Sequence, residues 1–215
     1  MEFVSKSISW LFLPLLTPIY GLMFLLFLPS DQDFFFNYSC LYTMTLSTKY
    51  ALIYMFTIFG FVAPGVSLLI MYRTGMISDI EIDNRRERSI PIIVQLLYCL
   101  FLYMVFIFKD PQGQLPSYIY AFPLSGAIVT GFFFLLNRWK KISIHAAGTG
   151  IMVGMIIAYS LQCISYTFWI IPVSVLISGA VMSARVFLGK HTLLEVIVGW
   201  FVGFIITFGV VYFYR

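Results

Sequence analysis

Seven long runs of apolar residues constrain the fold of this chain more than any other feature of its sequence. Most of them are long enough, at about 20 residues, to cross the roughly 30 Å hydrocarbon core of a membrane as a helix. The chain is 61% apolar and only 10% charged, whereas roughly a quarter of the residues in an ordinary soluble domain are charged. The pattern therefore predicts an all-α, multi-pass transmembrane helical bundle.

The predicted spans cover residues 10–28, 50–72, 91–108, 117–136, 146–161, 166–182 and 193–214. Seven spans of about 20 residues use roughly 140 positions, which leaves no room for a second domain. We therefore expect one integral-membrane domain over 1–215, with the first two spans in 1–72 and the polar motifs in 73–215. The first run is too long for a signal-peptide core and lacks a small-x-small cleavage site, so we expect it to be a span.

The charge and the cysteines exclude several classes of protein. The net charge is +4, but the basic residues lie in short segments between spans, so nucleic acid is not an expected partner. Cys40, Cys99 and Cys163 are far apart and lack the close pairing of a zinc site or a disulfide framework. No metal or cofactor is therefore expected.

The scarce polar residues collect in three segments, 78–88, 137–145 and 183–195. Ionisable groups at bilayer depth cost about 2.5 to 3.5 kcal/mol on insertion scales and usually mark function. Two predicted spans separate each segment from the next, so all three lie on one face of the membrane. Both histidines of the chain and eight basic residues share that face: His145, His191, Arg85, Arg86, Arg88, Arg138, Lys140, Lys141, Arg185 and Lys190.

Each histidine is followed by two glycines four residues apart, Gly150 and Gly154 in one span and Gly199 and Gly203 in the other. Small residues at this spacing let helix backbones approach closely. The pattern predicts that the spans 146–161 and 193–214 pack together and bring the two imidazoles near each other. Such glycine pairs also occur where helices pack without forming a site, and both interpretations stay open.

The spacing of His191 and Glu195 indicates a reactive imidazole. Residues four apart share a helix face, so the carboxylate can accept the imidazole N–H and leave the other nitrogen as a nucleophile or base. Arg185, six residues earlier, can bind a phosphate with its guanidinium fork. A cationic site with two histidines predicts a phosphorylated substrate, with one imidazole attacking phosphorus and the other protonating the leaving oxygen.

The last polar segment resembles the third signature of the type 2 phosphatidic acid phosphatase (PAP2) superfamily, S-R-x5-H-x3-D. Ser183, Arg185 and His191 stand in that order, with the full five residues between arginine and histidine. Glu195 takes the place of the aspartate, and one residue separates the serine from the arginine.

The other two segments resemble the first two signatures less closely. Ser143 and His145 are similar to P-S-G-H, and Arg88 with Pro91 is similar to K-x6-R-P. Glu81 stands where the first signature has its lysine. The likeness extends from about residue 85 to 203 and points to a divergent bacterial branch of the superfamily, in the inner membrane.

The resemblance implies a PAP2-like bundle with metal-independent phosphatase activity on a membrane-embedded lipid phosphate or diphosphate. It implies that His191 is the nucleophile that forms a phosphohistidine, that Glu195 orients it and that His145 is the general acid. The implied phosphate-binding residues are Arg88, Arg185 and Ser143, with Arg85 or Arg86 as the substitute for the missing lysine. Polyprenyl diphosphate, phosphatidic acid, phosphatidylglycerophosphate and lipid A phosphate all fit this class.

Two alternative functions and the side of the site stay open. A catalytically inactive PAP2-like protein could bind lipid phosphates, and a small transporter could line an anion path with the same cations. Ten of the 13 Lys and Arg residues lie on the face of the site, which favours a cytoplasmic site. Five of those ten are candidates for phosphate binding whatever the orientation, which weakens this argument: Arg85, Arg86, Arg88, Arg185 and Lys190. The resemblance implies an extracytoplasmic site.

Overall fold

The computed structural model describes residues 1–31, 40–82 and 84–214. Those ranges contain eight longer helices: α1 (Glu2–Leu11), α2 (Thr17–Phe27), α3 (Leu46–Arg73), α4 (Ser89–Lys109), α5 (Ser117–Leu136), α6 (Ile144–Ser160), α7 (Ile170–Phe187) and α8 (Leu193–Phe213). Two short strands, β1 (Ser30–Asp31) and β2 (Ser165–Tyr166), pair antiparallel. Short 3₁₀ turns at Leu41–Thr43 and Arg85–Arg88 precede α3 and α4.

Five helices in the described part of the chain are long and apolar enough to cross a membrane. They are α3, α4 with its preceding turn, α5, α7 and α8. The prediction of an all-α membrane bundle is confirmed at this level. The apolar helices α2 and α6 are shorter, with 11 and 17 residues, and α7 begins and ends several residues later than its predicted span.

The expectation of one continuous helix over 10–28 is wrong. The chain forms α1, leaves the helical conformation and re-enters it in α2. Pro14 lacks a backbone N–H and disfavours the helical conformation of the residue before it, so the helix stops ahead of it. Pro18 lies in the first turn of α2, where a proline is tolerated. The break lets α1 pack against α7 at the end of the bundle that carries the polar segments.

The long helix α3 contains a π-helical turn at Ile58–Val62, directly ahead of Pro64. A proline within a helix loses one backbone hydrogen bond and clashes with the carbonyl four residues earlier. A π turn, which widens the helix, is found mostly as a single turn inside an α-helix and often near functional sites. Residues of this turn face the cavity described below.

The central element is α6, most of whose side chains are buried. On one side, α2 and the residues next to its two ends pack along α6. Pro14, ahead of α2, approaches Gly148. Ser30, after α2, contacts the Tyr159 hydroxyl with its own hydroxyl at 2.9 Å. Tyr159 also contacts the thiol of the buried Cys40. These contacts close the end of the bundle opposite the polar segments.

On its other side α6 packs against α8, backbone to backbone. A Cβ atom on Gly150 or Gly154 would lie less than 3.0 Å from a carbonyl oxygen of α8, and one on Gly203 would lie equally close to the Ala147 oxygen of α6. A Cβ on Gly199 would lie 2.6 Å from the Ser143 oxygen. The predicted close packing of the two glycine pairs is confirmed. It brings the start of α6, with His145, close to the start of α8, which His191 precedes.

Replacing Gly203 with alanine should separate α6 from α8, because the added methyl meets rigid backbone rather than a flexible side chain. Overpacking of this kind costs about 1 to 3 kcal/mol, so we expect a clearly lower melting temperature in detergent. Gly209→Ala is the matched control, since it lies in the same helix and its added methyl would meet no atom within 4 Å. Equal melting temperatures for the two variants would show that the contact is unimportant.

Candidate functional site

The three polar segments meet at one end of the bundle. Arg88 precedes α4, His145 begins α6, Arg185 lies in the last turn of α7 and His191 lies just before α8. All four side chains line the same cavity. The structure therefore brings together residues from three polar segments that are far apart in the sequence.

His191 is held by Glu195 at the start of α8. The Nδ1 atom of His191 lies 2.8 Å from Oε2 of Glu195, and the imidazole is almost fully buried. The same carboxylate accepts from the backbone N–H of Thr192, whose hydroxyl accepts in turn from the backbone N–H of Glu195. This capping box fixes the carboxylate, so Nδ1 carries the proton and Nε2 keeps its lone pair.

The surroundings of His191 favour its neutral form. Burial lowers the pKa of the imidazole, because an apolar environment disfavours the cation. The positive charges of Arg88 and Lys141 lower this pKa further, whereas Glu195 acts against them. The ring is therefore neutral at neutral pH, which is the state that a nucleophile requires.

Arg88 is buried and fixed by backbone carbonyls from two segments. Its Nε donates to the Ile82 oxygen at 2.7 Å and its Nη1 donates to the Ile142 oxygen at 3.0 Å. The guanidinium thus ties the segment before α4 to the segment before α6. Its charge lies close enough to both histidines to act on them electrostatically.

Arg185 is also buried, and its hydrogen-bonding capacity is only partly used. Both Nη atoms lie 3.4 Å from Oε2 of Glu81. Its Nε is buried and has no hydrogen-bond partner in the described part of the chain. Since buried polar groups are nearly always paired, this atom points to a ligand with an additional oxygen.

The second imidazole, His145, contacts α1. Its ring donates a hydrogen bond to the backbone of Ser9, and burial together with the nearby charge of Arg185 lowers the pKa of the imidazole. The break at Pro14 is what lets α1 reach this position. Sequence reasoning missed Ser9 because it treated the first apolar run as one membrane-crossing helix.

Three predicted phosphate-binding residues do not line the cavity. Ser143 is fully buried and caps α6, with its hydroxyl accepting from the backbone N–H of Ala146 at 3.4 Å. Arg85 donates to the Arg138 backbone oxygen at 3.0 Å, and Arg86 is exposed. The structure instead places Glu81 beside Arg185. The sequence offered no signal for this contact, since Glu81 is one of several acidic residues in a segment of mixed charge.

The cavity, of about 340 Å³, extends from the charged residues between α2, α3, α4 and α5. Its ionisable lining residues are Glu81, Arg88, Arg185 and the two histidines, and the rest of its wall is mainly apolar. Apolar residues from several helices form that wall, among them Ile19, Phe59, Leu68, Leu102 and Phe122. A cavity with a cationic end and an apolar body suits an amphiphile with an anionic head.

A scan against protein-family models and comparisons with curated proteins and with solved structures find no match for this chain. Within residues 1–31, 40–82 and 84–214, no group of three or more His, Cys, Asp or Glu side chains could hold a metal ion. The guanidiniums present bind phosphate and carboxylate oxygens.

Proposed function

We propose that this protein is a membrane phosphatase that hydrolyses a lipid phosphate or diphosphate through a phosphohistidine on His191. The observation that carries the proposal is the 2.8 Å contact from Nδ1 of His191 to Glu195, within a buried site that also holds Arg88, Arg185 and His145. A neutral, carboxylate-oriented imidazole beside two guanidiniums can attack an electrophilic centre that carries negative charge.

In the first step, Nε2 of His191 attacks phosphorus, and the bond from phosphorus to the leaving oxygen breaks. The negative charge of the bound phosphate acts against the burial and the Arg185 charge that lower the pKa of His145, and the protonated imidazole gives its proton to the leaving oxygen. Glu195 stabilises the positive charge that develops on the His191 ring. The guanidinium of Arg185 binds the phosphoryl oxygens.

In the second step, water attacks the phosphohistidine. His145, now neutral, accepts a proton from this water, and the P–N bond breaks. Inorganic phosphate leaves and both imidazoles return to their starting states. The two steps together consume one water molecule and release one lipid alcohol or lipid monophosphate.

The apolar cavity supports a lipid rather than a soluble phosphate as the substrate. Its volume falls at the lower end of the range of small-ligand sites, and it leads from the charged residues into the helical bundle. A hydrocarbon chain can lie there while the phosphate remains among the cations. These features agree with the PAP2 resemblance, and we assign the protein to a divergent bacterial branch of that superfamily as part of this proposal.

Purified protein in detergent should release inorganic phosphate from a lipid phosphate or diphosphate in the presence of a chelator and without added metal. The reason is that side chains of the chain itself supply the nucleophile and the positive charge. A colorimetric phosphate assay with phosphatidic acid and a polyprenyl diphosphate checks this, with boiled protein as the control.

Loss of activity with chelator and its recovery with zinc or magnesium would contradict the proposal. Tight binding of a lipid phosphate without any turnover would favour the inactive lipid-binding protein. Anion flux in proteoliposomes without hydrolysis would favour the transporter.

A further inference from the structure

The carboxylate of Glu81 lies among the cations that would bind the substrate phosphate. Its Oε2 atom is 3.4 Å from Nη1 and Nη2 of Arg185 and 3.4 Å from Nζ of Lys190. Glu81 also lines the charged end of the cavity, with about a third of its side chain exposed. One negative charge thus already neutralises part of the site.

The pairing between Glu81 and Arg185 is incomplete. Charge-assisted hydrogen bonds of arginine are typically about 2.7 to 2.9 Å long and often involve two oxygens, whereas here one oxygen serves both Nη atoms at 3.4 Å. The buried Nε of Arg185 has no partner among the described residues. A phosphate, with three oxygens, could replace the carboxylate and also reach this Nε.

The residue that follows Glu81 is held by its surroundings. The next residue, Ile82, has a φ of 51°, an uncommon conformation for a β-branched residue. Its side chain is buried against Met71 and Ile77, and its carbonyl accepts the Nε–H of Arg88. Because Arg88, itself a residue of the site, binds the Ile82 carbonyl, the adjacent Glu81 belongs to the site as well.

We propose that Glu81 is a specificity determinant that favours phosphate groups carrying two or more negative charges over monoanionic phosphodiesters. This inference rests on the proposed function. A phosphodiester that displaces Glu81 replaces one negative charge beside Arg185 and Lys190 with another. Its electrostatic attraction to the site is therefore nearly cancelled by the loss of the Glu81 ion pairs. A phosphate monoester or a diphosphate brings at least one additional charge and gains the attraction.

Selectivity against phosphodiesters matters for a site in a membrane. Ordinary phospholipids are phosphodiesters and surround any site that opens toward the bilayer. A cationic site without an internal anion would bind their head groups and be inhibited by them. Glu81 reduces that binding and keeps the site available for scarcer lipids that end in a phosphate or a diphosphate.

The test compares Glu81→Gln with Asp79→Asn. Both remove one negative charge from the same segment, but Asp79 makes no ion pair with any described residue. In mixed micelles, inhibition of phosphatidic acid hydrolysis by phosphatidylglycerol gives the discrimination between diester and monoester. Glu81→Gln should lower the ratio of the phosphatidylglycerol inhibition constant to the phosphatidic acid KM by a few-fold to about tenfold, because the diester then binds more tightly. Asp79→Asn should leave this ratio unchanged.

An unchanged ratio in a folded Glu81→Gln protein would overturn the proposal, as would an equal change in both variants. A loss of kcat with the ratio intact would also overturn it, because Glu81 would then act on the chemistry. If wild-type protein releases no phosphate at all, the proposed function fails by itself. In that case the dissociation constants of fluorescent phosphatidylglycerol and phosphatidic acid are measured directly. Glu81→Gln should lower the ratio of the first constant to the second by a similar factor.

Discussion

The His191→Ala variant should release phosphate at no more than the background rate, a fall of several orders of magnitude. In the proposed mechanism the Nε2 atom of this residue forms the bond to phosphorus, and no water or other side chain can take its place at the same position. Brief reaction with a ³²P-labelled lipid phosphate, followed by denaturation at alkaline pH, should label wild-type protein with an acid-labile phosphate. The variant should carry no label.

Glu195→Gln is the matched variant for this experiment. Glutamine also fits the third position of a capping box, so α8 should still begin correctly, but the imidazole loses the charge that orients and stabilises it. We expect a rate lower by about 10²- to 10⁴-fold with the phosphoenzyme still detectable. Near-normal rates in His191→Ala, or label retained on that variant, would show that another residue is the nucleophile.

The sequence predicted the membrane helices well where one physical rule dominates. Long uncharged runs define α3, α4, α5 and α8 to within a few residues, because a helix satisfies its backbone hydrogen bonds within one segment of the chain inside a bilayer. The first run misled because hydropathy averages over a window, whereas the helix break depends on a local effect of Pro14. A window that ignored proline could not distinguish one span from two shorter helices.

The site was predictable only in part. The glycine pairs and the number of spans between polar segments correctly placed His145 and His191 at one end of the bundle. The roles of Ser143 and Arg85 depend on where each side chain points, and that is decided by helix capping and by contacts with residues distant in sequence. The pairing of Glu81 with Arg185 is of the same kind, since 104 positions separate the two residues.

Relative to wild type, the His145→Ala variant should form the phosphoenzyme far more slowly from lipid monophosphates than from lipid diphosphates. A monophosphate must expel an alkoxide, which is a poor leaving group until it is protonated, so this reaction depends strongly on the general acid. A diphosphate expels a phosphate monoester, which leaves without a proton. The variant should therefore still form the phosphohistidine from a polyprenyl diphosphate.

Breakdown of that phosphohistidine should be slow, because water then lacks the base that accepts its proton. The phosphoenzyme should accumulate in His145→Ala, and label on the protein should exceed that on wild type at steady state. His145→Gln separates proton transfer from structure, since its amide can still donate to the Ser9 backbone but cannot transfer a proton. If Gln restored wild-type rates, His145 would only position α1. If both variants slowed phosphoenzyme formation equally from monophosphates and from diphosphates, the leaving oxygen would receive its proton from another group.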